Sequence, residues 1–560
     1  LGVVGPVEAG KTTLSMALAS FAPQNTGGTT SGDLSVAGRD PREATDNRVA
    51  MVFEDYAAQL TQVRVIDEVI APLVNRGFTR AEATERAREL LDDVRMSDAE
   101  TQFTWELSGG QQQRLAIAAA LAIDPEVMVF DTATDMLDPE GRDHVANLIA
   151  SLRGEKTLVV TENDPDALVG VADELLVLDD GDRVACGDAD ELLRDDELLA
   201  DVGVAPPVCV RSARKVGVPN APLTPGEFVD ELDALGGTEL PRAADSAAAV
   251  GGPSGPAADG GDPMTVSVAP GFGEPVLEAH DVTYRYTADE AAIDGVDFTV
   301  RGGEVHAVVG GNGAGKTTFS KLLSGLFKPD SGRITVGDAT TDGRTARDVA
   351  ESVGVALQNP DEQLSEQTVR EELRFPLVER RYDRTGLLGL GKRERYDEEF
   401  IERRVETVRS LVGLDESVLD ADPVFLPRGE RRQVTMGSAI MPDPDVVVLD
   451  EPVAGVDASA RRHVVETIDQ LTDNGTGVVI IDHDMDFVCE VAHTVTVLHD
   501  GAVAMQGPVH EVFDTANWEW LAEQHLRPPR AARLARRVGV DALTAAEFVD
   551  TVGPMLEASR

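Results

Sequence analysis

Very few folds can accommodate the stretch Gly310-Gly311-Asn312-Gly313-Ala314-Gly315-Lys316-Thr317-Thr318. A strand-like run, Val305-His306-Ala307-Val308-Val309, leads into it, and a helix-like run, Phe319-Ser320-Lys321-Leu322-Leu323, follows. Strand, G-x-x-x-x-G-K-[ST] and helix in that order make a phosphate-binding loop. Gly310, Gly313 and Gly315 let the N–H groups of the loop, Asn312 included, curve around a polyphosphate, and the helix N-terminus at Thr318 adds its dipole. The Lys316 ammonium can reach the β and γ phosphates, and the Thr317 hydroxyl can ligate Mg²⁺.

The pattern occurs twice. Gly5-Pro6-Val7-Glu8-Ala9-Gly10-Lys11-Thr12-Thr13 also fits it, with Gly5, Gly10, Lys11, Thr12 and Thr13 in the same roles. The chain therefore reads as an internal duplication, and each later motif is sought in both halves. Helical runs alternate with apolar strands such as Val127-Met128-Val129-Phe130 and Leu158-Val159-Val160-Thr161. That alternation predicts an α/β fold with mostly parallel strands. Residues 241–275, rich in Pro, Gly, Ala and Asp, cannot build a core and read as a flexible linker. The predicted domains are 1–204 and 276–515, each followed by a small C-terminal extension, 205–240 and 516–560.

The extensions share an L-T-x-x-E-F-V-D pattern, at Leu223-Thr224 with Glu227-Phe228-Val229-Asp230 and at Leu543-Thr544 with Glu547-Phe548-Val549-Asp550. A role in pairing the halves and a locally packed helical cap are both open. The second copy carries a strand-rich lead-in, Leu277 to Val309, that the first lacks, so the N-terminus is expected to be truncated. The second copy also has an insertion at 379–399, with Arg380, Arg381, Lys392 and Arg395 near Tyr382 and Tyr396. It reads as a solvated loop or as a contact to a membrane partner.

Composition limits the rest. With 560 residues and 42% hydrophobic content, two cores are within reach. A net charge of −50 with only seven lysines suits high salt, where a Debye length of about 3 Å at ~1 M screens self-repulsion. The same charge disfavours a broad nucleic-acid-binding face. Cys186, Cys209 and Cys489 lack metal-ligand spacing and argue for a reducing compartment. No apolar run approaches the ~18 residues of a membrane span.

Leu107-Ser108-Gly109-Gly110-Gln111, set between a phosphate loop and an apolar strand ending in Asp131, resembles the signature of ABC-type ATPases. The second half adds Val446-Val447-Val448-Leu449 ending in Asp450-Glu451, then Val456-Asp457 and His483. Leu357-Gln358-Asn359-Pro360-Asp361-Glu362-Gln363-Leu364 is similar to the Q-loop of the energy-coupling-factor (ECF) importers for vitamins and metal ions. The resemblance implies two P-loop NTPase (ABC ATPase) domains in tandem, using ATP and Mg²⁺. It implies Glu451 as general base, Gln358, Asp450 and Thr317 around Mg²⁺, and His483 on the γ-phosphate. Tyr286 would stack on adenine, with Tyr284 as a substitute. In the first half Thr12 and Asp131 would hold Mg²⁺. Two such domains close head to tail, so Ser108, Gly109, Gly110 and Gln111 would face the second phosphate loop, and Gly429 the first. A transmembrane coupling protein and a membrane substrate-binding protein are implied partners, with the chain peripheral on the cytoplasmic side of the cell membrane.

The halves are chemically unequal. The first has Glu8 for Gly313, Glu54 for Gln358, Thr132 for Glu451 and, by this reading, Glu162 for His483. The second signature reads Leu426-Pro427-Arg428-Gly429-Glu430. Proline lacks the hydroxyl and the N–H of a serine. Crossing the partners gathers the defects in one composite site and leaves the other complete. The expected protein is the ATP-hydrolysing component of an ECF-type importer with one competent site. An ATPase of a sugar or peptide ABC importer, and a soluble tandem ABC protein acting on ribosomes, stay open as alternatives.

Overall fold

A computed structural model describes residues 1–42, 48–132, 139–235, 272–287, 290–385 and 391–559. The chain divides into two compact units, Leu1–Glu239 with Val552–Arg560, and Leu240–Thr551. The linker expected at 241–275 lies outside the described residues except for 272–275. Among the described residues no helix is long and apolar enough to cross a membrane.

Each unit is an α/β domain on a six-stranded sheet of the same order. In the second unit the sheet runs Val353–Ala356, Val446–Asp450, Gly477–Ile481, Val305–Gly310, Thr494–His499, Ala502–Pro508. Neighbours are parallel except for the last pair. Val446–Asp450 and Gly477–Ile481 are buried along their whole length. Burial on both faces is why their sequences are unbroken apolar runs rather than alternating ones. The phosphate loop leaves Val305–Gly310 at its C-terminal end and opens the helix Lys316–Leu323, while Asp450 closes its own strand. The motifs therefore converge at the carboxyl end of the sheet, where open α/β sheets bind ligands. The first unit repeats the order with Val49–Val52, Val127–Asp131, Thr157–Glu162, Gly2–Val4, Glu174–Asp179 and Asp182–Asp188.

The units differ in a second, antiparallel sheet. The later unit has Ala339–Thr340, Ser331–Val336, Pro275–Thr287 and Glu290–Arg301 in that order. In the earlier unit, among the described residues, a lone bridge between Val36 and Arg39 stands where Val336 pairs with Ala339. Ser331–Val336 is held by Pro275–Thr287.

The insertion contains a hairpin, Tyr382–Thr385 against Gly391–Glu394, with Thr385 opposite Gly391. Its base is fixed by ion pairs from Arg381 to Glu394 and Glu398, and from Arg395 to Glu351. Residues 386–390 fall outside the described set.

Both extensions pack as helical caps. The helices Val208–Val216 and Arg530–Val538 stop at Gly217 and Gly539, where φ is +73° and +83° and glycine carries no Cβ penalty. The Thr224 and Thr544 hydroxyls each accept from the N–H of Glu227 and Glu547 at 3.2 Å. The two glutamates accept in turn from the N–H of Leu223 and Leu543. Phe228 and Phe548 are fully buried. The recurrent pattern is thus a capped helix start with a core anchor.

Candidate functional site

In the second unit three elements deliver the reactive groups to one place. The loop after Val353–Ala356 brings Gln358, whose Nε2 donates to Glu451 Oε2 at 2.8 Å. The segment after Gly477–Ile481 brings His483, with Nδ1 3.2 Å from Glu451 Oε1. Glu451 itself stands at φ +47°. A non-glycine residue held there is strained, and its backbone N–H is fixed by donation to Ile481 O at 2.7 Å. The Lys316 ammonium rests on the carbonyls of Gly310 and Gly311, 2.8 and 3.0 Å away, already at the mouth of the loop. Gly313 has φ +82° and open space where a Cβ would be.

Charge is concentrated here. Burial, then Glu451 and Asp482, push Asp450 up to about 7. Burial raises Asp482 to about 6. Burial opposes ionisation of Glu451 too, but hydrogen bonds from His483 and Gln358 and the Lys316 charge hold it down to about 2. Glu451 is therefore ionised across the physiological range, an anion able to accept hydrogen bonds.

A divalent cation fits this chemistry. Among the described residues no cluster of His, Cys, Asp and Glu forms a protein-only metal cage. One carboxylate and one hydroxyl, Asp450 and Thr317, are the sparse protein set expected when Mg²⁺ takes its other ligands from phosphate and water. The acids crowded at Asp450, Glu451 and Asp482 supply the negative field.

Tyr286 is 61% exposed and places its hydroxyl 3.1 Å from Thr318 Oγ1, beside the P-loop helix. Tyr284 instead stacks on Phe327 against the core. Of the two rings, Tyr286 is the one open to a base.

The first unit has the same frame with other side chains. Lys11 rests on Gly5 and Pro6 carbonyls at 2.8 and 2.7 Å. Glu8 adopts φ +66° where Gly313 is left-handed, and Thr132 adopts φ +49° where Glu451 stands. Burial raises the Asp131 carboxyl, while Thr161, Thr12, Lys11 and Ser15 counter it.

One sequence assignment is corrected. Val160 lies opposite Gly2 as Ile480 lies opposite Ala307, and Gly2 and Ala307 each stand three residues before a loop glycine. Glu162 is therefore the counterpart of Asp482, both fully buried. Asn163, not Glu162, occupies the His483 position. Asp164 and Asp484 confirm the register, accepting from the N–H of Asp166 and Asp486 at 3.0 and 2.9 Å.

The signatures also diverge in shape. Ser108 N-caps the helix Gly109–Ala122 in a reciprocal capping box with Gln111. Pro427 starts Arg428–Ile440 with no side-chain cap. A Cβ at Gly109 would come 2.7 Å from the Tyr56 hydroxyl. The second unit has Pro360 at the Tyr56 position and Arg428 at the Gly109 position.

Several structural partners were not read from the sequence. Gln59 and Gln363 close their Q-loops identically, accepting from Phe53 and Leu357 N–H and donating to Met51 and Val355 carbonyls. Glu68 and Glu372, nearly buried, each accept two consecutive loop N–H groups, Thr61 and Gln62 or Ser365 and Glu366. Asp166 and Asp486 accept the first N–H of the extension helices, Val208 and Arg530. Their recurrence at matching positions in both copies was the available signal.

The ABC transporter family profile matches residues 1–135 and 293–454. A protein assigned as an ABC transporter ATP-binding protein in Caldanaerobacter subterraneus subsp. tengcongensis is 31% identical, over 98% of this chain and 92% of its own length. YkoD of Bacillus subtilis, an ATP-binding protein assigned to HMP/thiamine import, is 28% identical over 91% of this chain and 86% of its own. Among solved structures, cbiO1 of Clostridium perfringens, part of the ABC transporter complex cbiONQ, aligns at 27% identity over 45% of this chain and 96% of its own, with a TM-score of 0.38. The chain belongs to the ABC transporter ATP-binding proteins and is an ATPase with two cassettes in tandem.

Proposed function

We propose that this chain is the energising component of an ECF-type importer for a vitamin or a metal ion, with one competent and one degenerate ATP site. The observation that carries the asymmetry is the Gln358–Glu451–His483 cluster of the second unit, against Glu54, Thr132 and Asn163 at the matching positions of the first. The competent site is built on the second phosphate loop and the degenerate one on the first. Thr317 and Asp450 would hold Mg²⁺, which when bound would supply charge to screen the phosphates. Lys316 then binds the β and γ phosphates, Glu451 orients the attacking water and receives its proton, and Gln358 and His483 hold Glu451 and the γ-phosphate in line. At the degenerate site Thr12 and Asp131 remain for Mg²⁺, so nucleotide is held without rapid cleavage.

The importer assignment draws on the Asn359-Pro360-Asp361-Glu362-Gln363 Q-loop and on the likeness to an import ATPase. The chain would sit peripherally on the cytoplasmic side of the membrane, through a transmembrane coupling protein and a membrane substrate-binding protein. Single-turnover hydrolysis with counted nucleotide per chain tests the asymmetry: one ATP cleaved rapidly is expected, and rapid cleavage of two refutes it. Co-purification of membrane partners tests the importer assignment; stable association with ribosomes instead would overturn it.

A further inference from the structure

Arg432 is buried to 1% and is the largest fully buried side chain in the described residues. It lies in the helix Arg428–Ile440, which opens with the altered second signature. Its Nη1 donates to the backbone carbonyl of Asp450 at 3.2 Å, and its Nη2 to the backbone carbonyl of Gln358 at 2.9 Å. One guanidinium therefore bridges two chain segments that reach the hydrolytic site from different directions. The anions that act on it are Glu451, Asp482 and Asp450. A buried cation costs several kcal/mol unless anions and acceptors surround it; here the site's acids and two carbonyls offset part of that cost, while Arg428 adds repulsion and the Arg432 Nε has no partner among the described residues. In the first unit the matching residue is Gln113, also buried but neutral, behind a Q-loop that carries Glu54.

We propose that Arg432 is a positioning residue for ATP hydrolysis: its fork fixes the Gln358 backbone against the end of the Asp450 strand, and so keeps the Gln358 amide on Glu451. The helix that opens with the altered second signature thus has a task in its own unit. Lysine is a poor replacement, because one ammonium on a flexible stem cannot reproduce a planar two-pronged bridge. This inference rests on the reading of Glu451 as the hydrolytic base.

The test is a double-mutant cycle on the full-length chain, with MgATP turnover and KM measured for Arg432→Gln, Gln358→Ala and the pair. If Arg432 acts through Gln358, Arg432→Gln lowers kcat by up to about 10²-fold, the scale of a misplaced reacting group, with KM changed less than about threefold. In the Gln358→Ala background the same change should cost little, because coupled residues are non-additive. Additive losses, or a fall in kcat matched by a lost folded fraction in circular dichroism, overturn the proposal. Should Arg432→Gln fail to fold, Arg432→Lys runs the same cycle. Glu451→Gln separates the two readings: full activity there refutes the base assignment, whereas an inactive Glu451→Gln beside a fully active Arg432→Gln refutes only the role of Arg432.

Discussion

Glu451→Gln should separate chemistry from stability, and the two magnitudes can be worked from the site. The carboxylate is held at about 2 against an ordinary 4.5, by His483, Gln358 and Lys316 acting against burial. That difference stabilises the fold by roughly 3 kcal/mol at neutral pH, and the amide forfeits it. Asp450 works the other way. Its rise from 3.8 to about 7 costs roughly 4 kcal/mol at neutral pH, and after burial Glu451 is the first cause. Removing the Glu451 charge returns part of that cost, so the net loss of stability should be about 1–2 kcal/mol. Turnover should fall about 10²-fold or more, the scale of a positioned acid–base group. The assay is MgATP hydrolysis and urea unfolding on the same preparation. Near-normal turnover, or an activity loss no larger than the unfolded fraction explains, would refute the reasoning.

Ser108→Ala removes the cap of Gly109–Ala122 and should cost about 1 kcal/mol in urea, while lowering hydrolysis about tenfold or more; unchanged hydrolysis would refute a role for Ser108 in ATP turnover. Asp450 and Asp482, raised by burial to about 7 and about 6, keep protons that the unfolded chain has released. Stability contributed by these groups is therefore lost as pH rises from about 4 to about 7. Nucleotide-free protein should melt at a lower temperature at about pH 8 than at about pH 6, and Asp450→Asn should flatten that slope; a slope left unchanged by the variant counts against the assignment. Asp486→Ala strips the acceptor from the Arg530 N–H, 2.7 Å away, and should cost about 1–3 kcal/mol without altering KM for ATP. The −50 charge predicts that compactness falls away below ~1 M salt; circular dichroism unchanged at low salt would refute the high-salt reading.

What the sequence disclosed and what it hid divide along chain distance. The phosphate loops, the Asp-Glu strand end and the capped extensions are local patterns, and the residues concerned fold where the patterns put them. Asn163 was misread because the strand Thr157–Glu162 ends in a carboxylate, and nothing local says whether it matches Asp482 or His483. The pairing with Gly2–Val4, far away in the chain, decides it. Arg432 was invisible for the same reason, since its acceptor on Gln358 is 74 positions away. The lone Val36–Arg39 bridge shows the converse. A two-strand signal remains in the sequence, but a strand needs its neighbour to form a ladder.

The glutamates Glu68 and Glu372 hold their loops in the same way in both units, although the catalytic side chains of those units have parted. Each ties a Q-loop to the start of a helix, Val65–Asn75 or Val369–Val378. The first unit, with Thr132 and Asn163 where the second has Glu451 and His483, has therefore kept the same tie. So short a tie makes a Q-loop and the start of its helix one mechanical piece, and that piece is the same in both units.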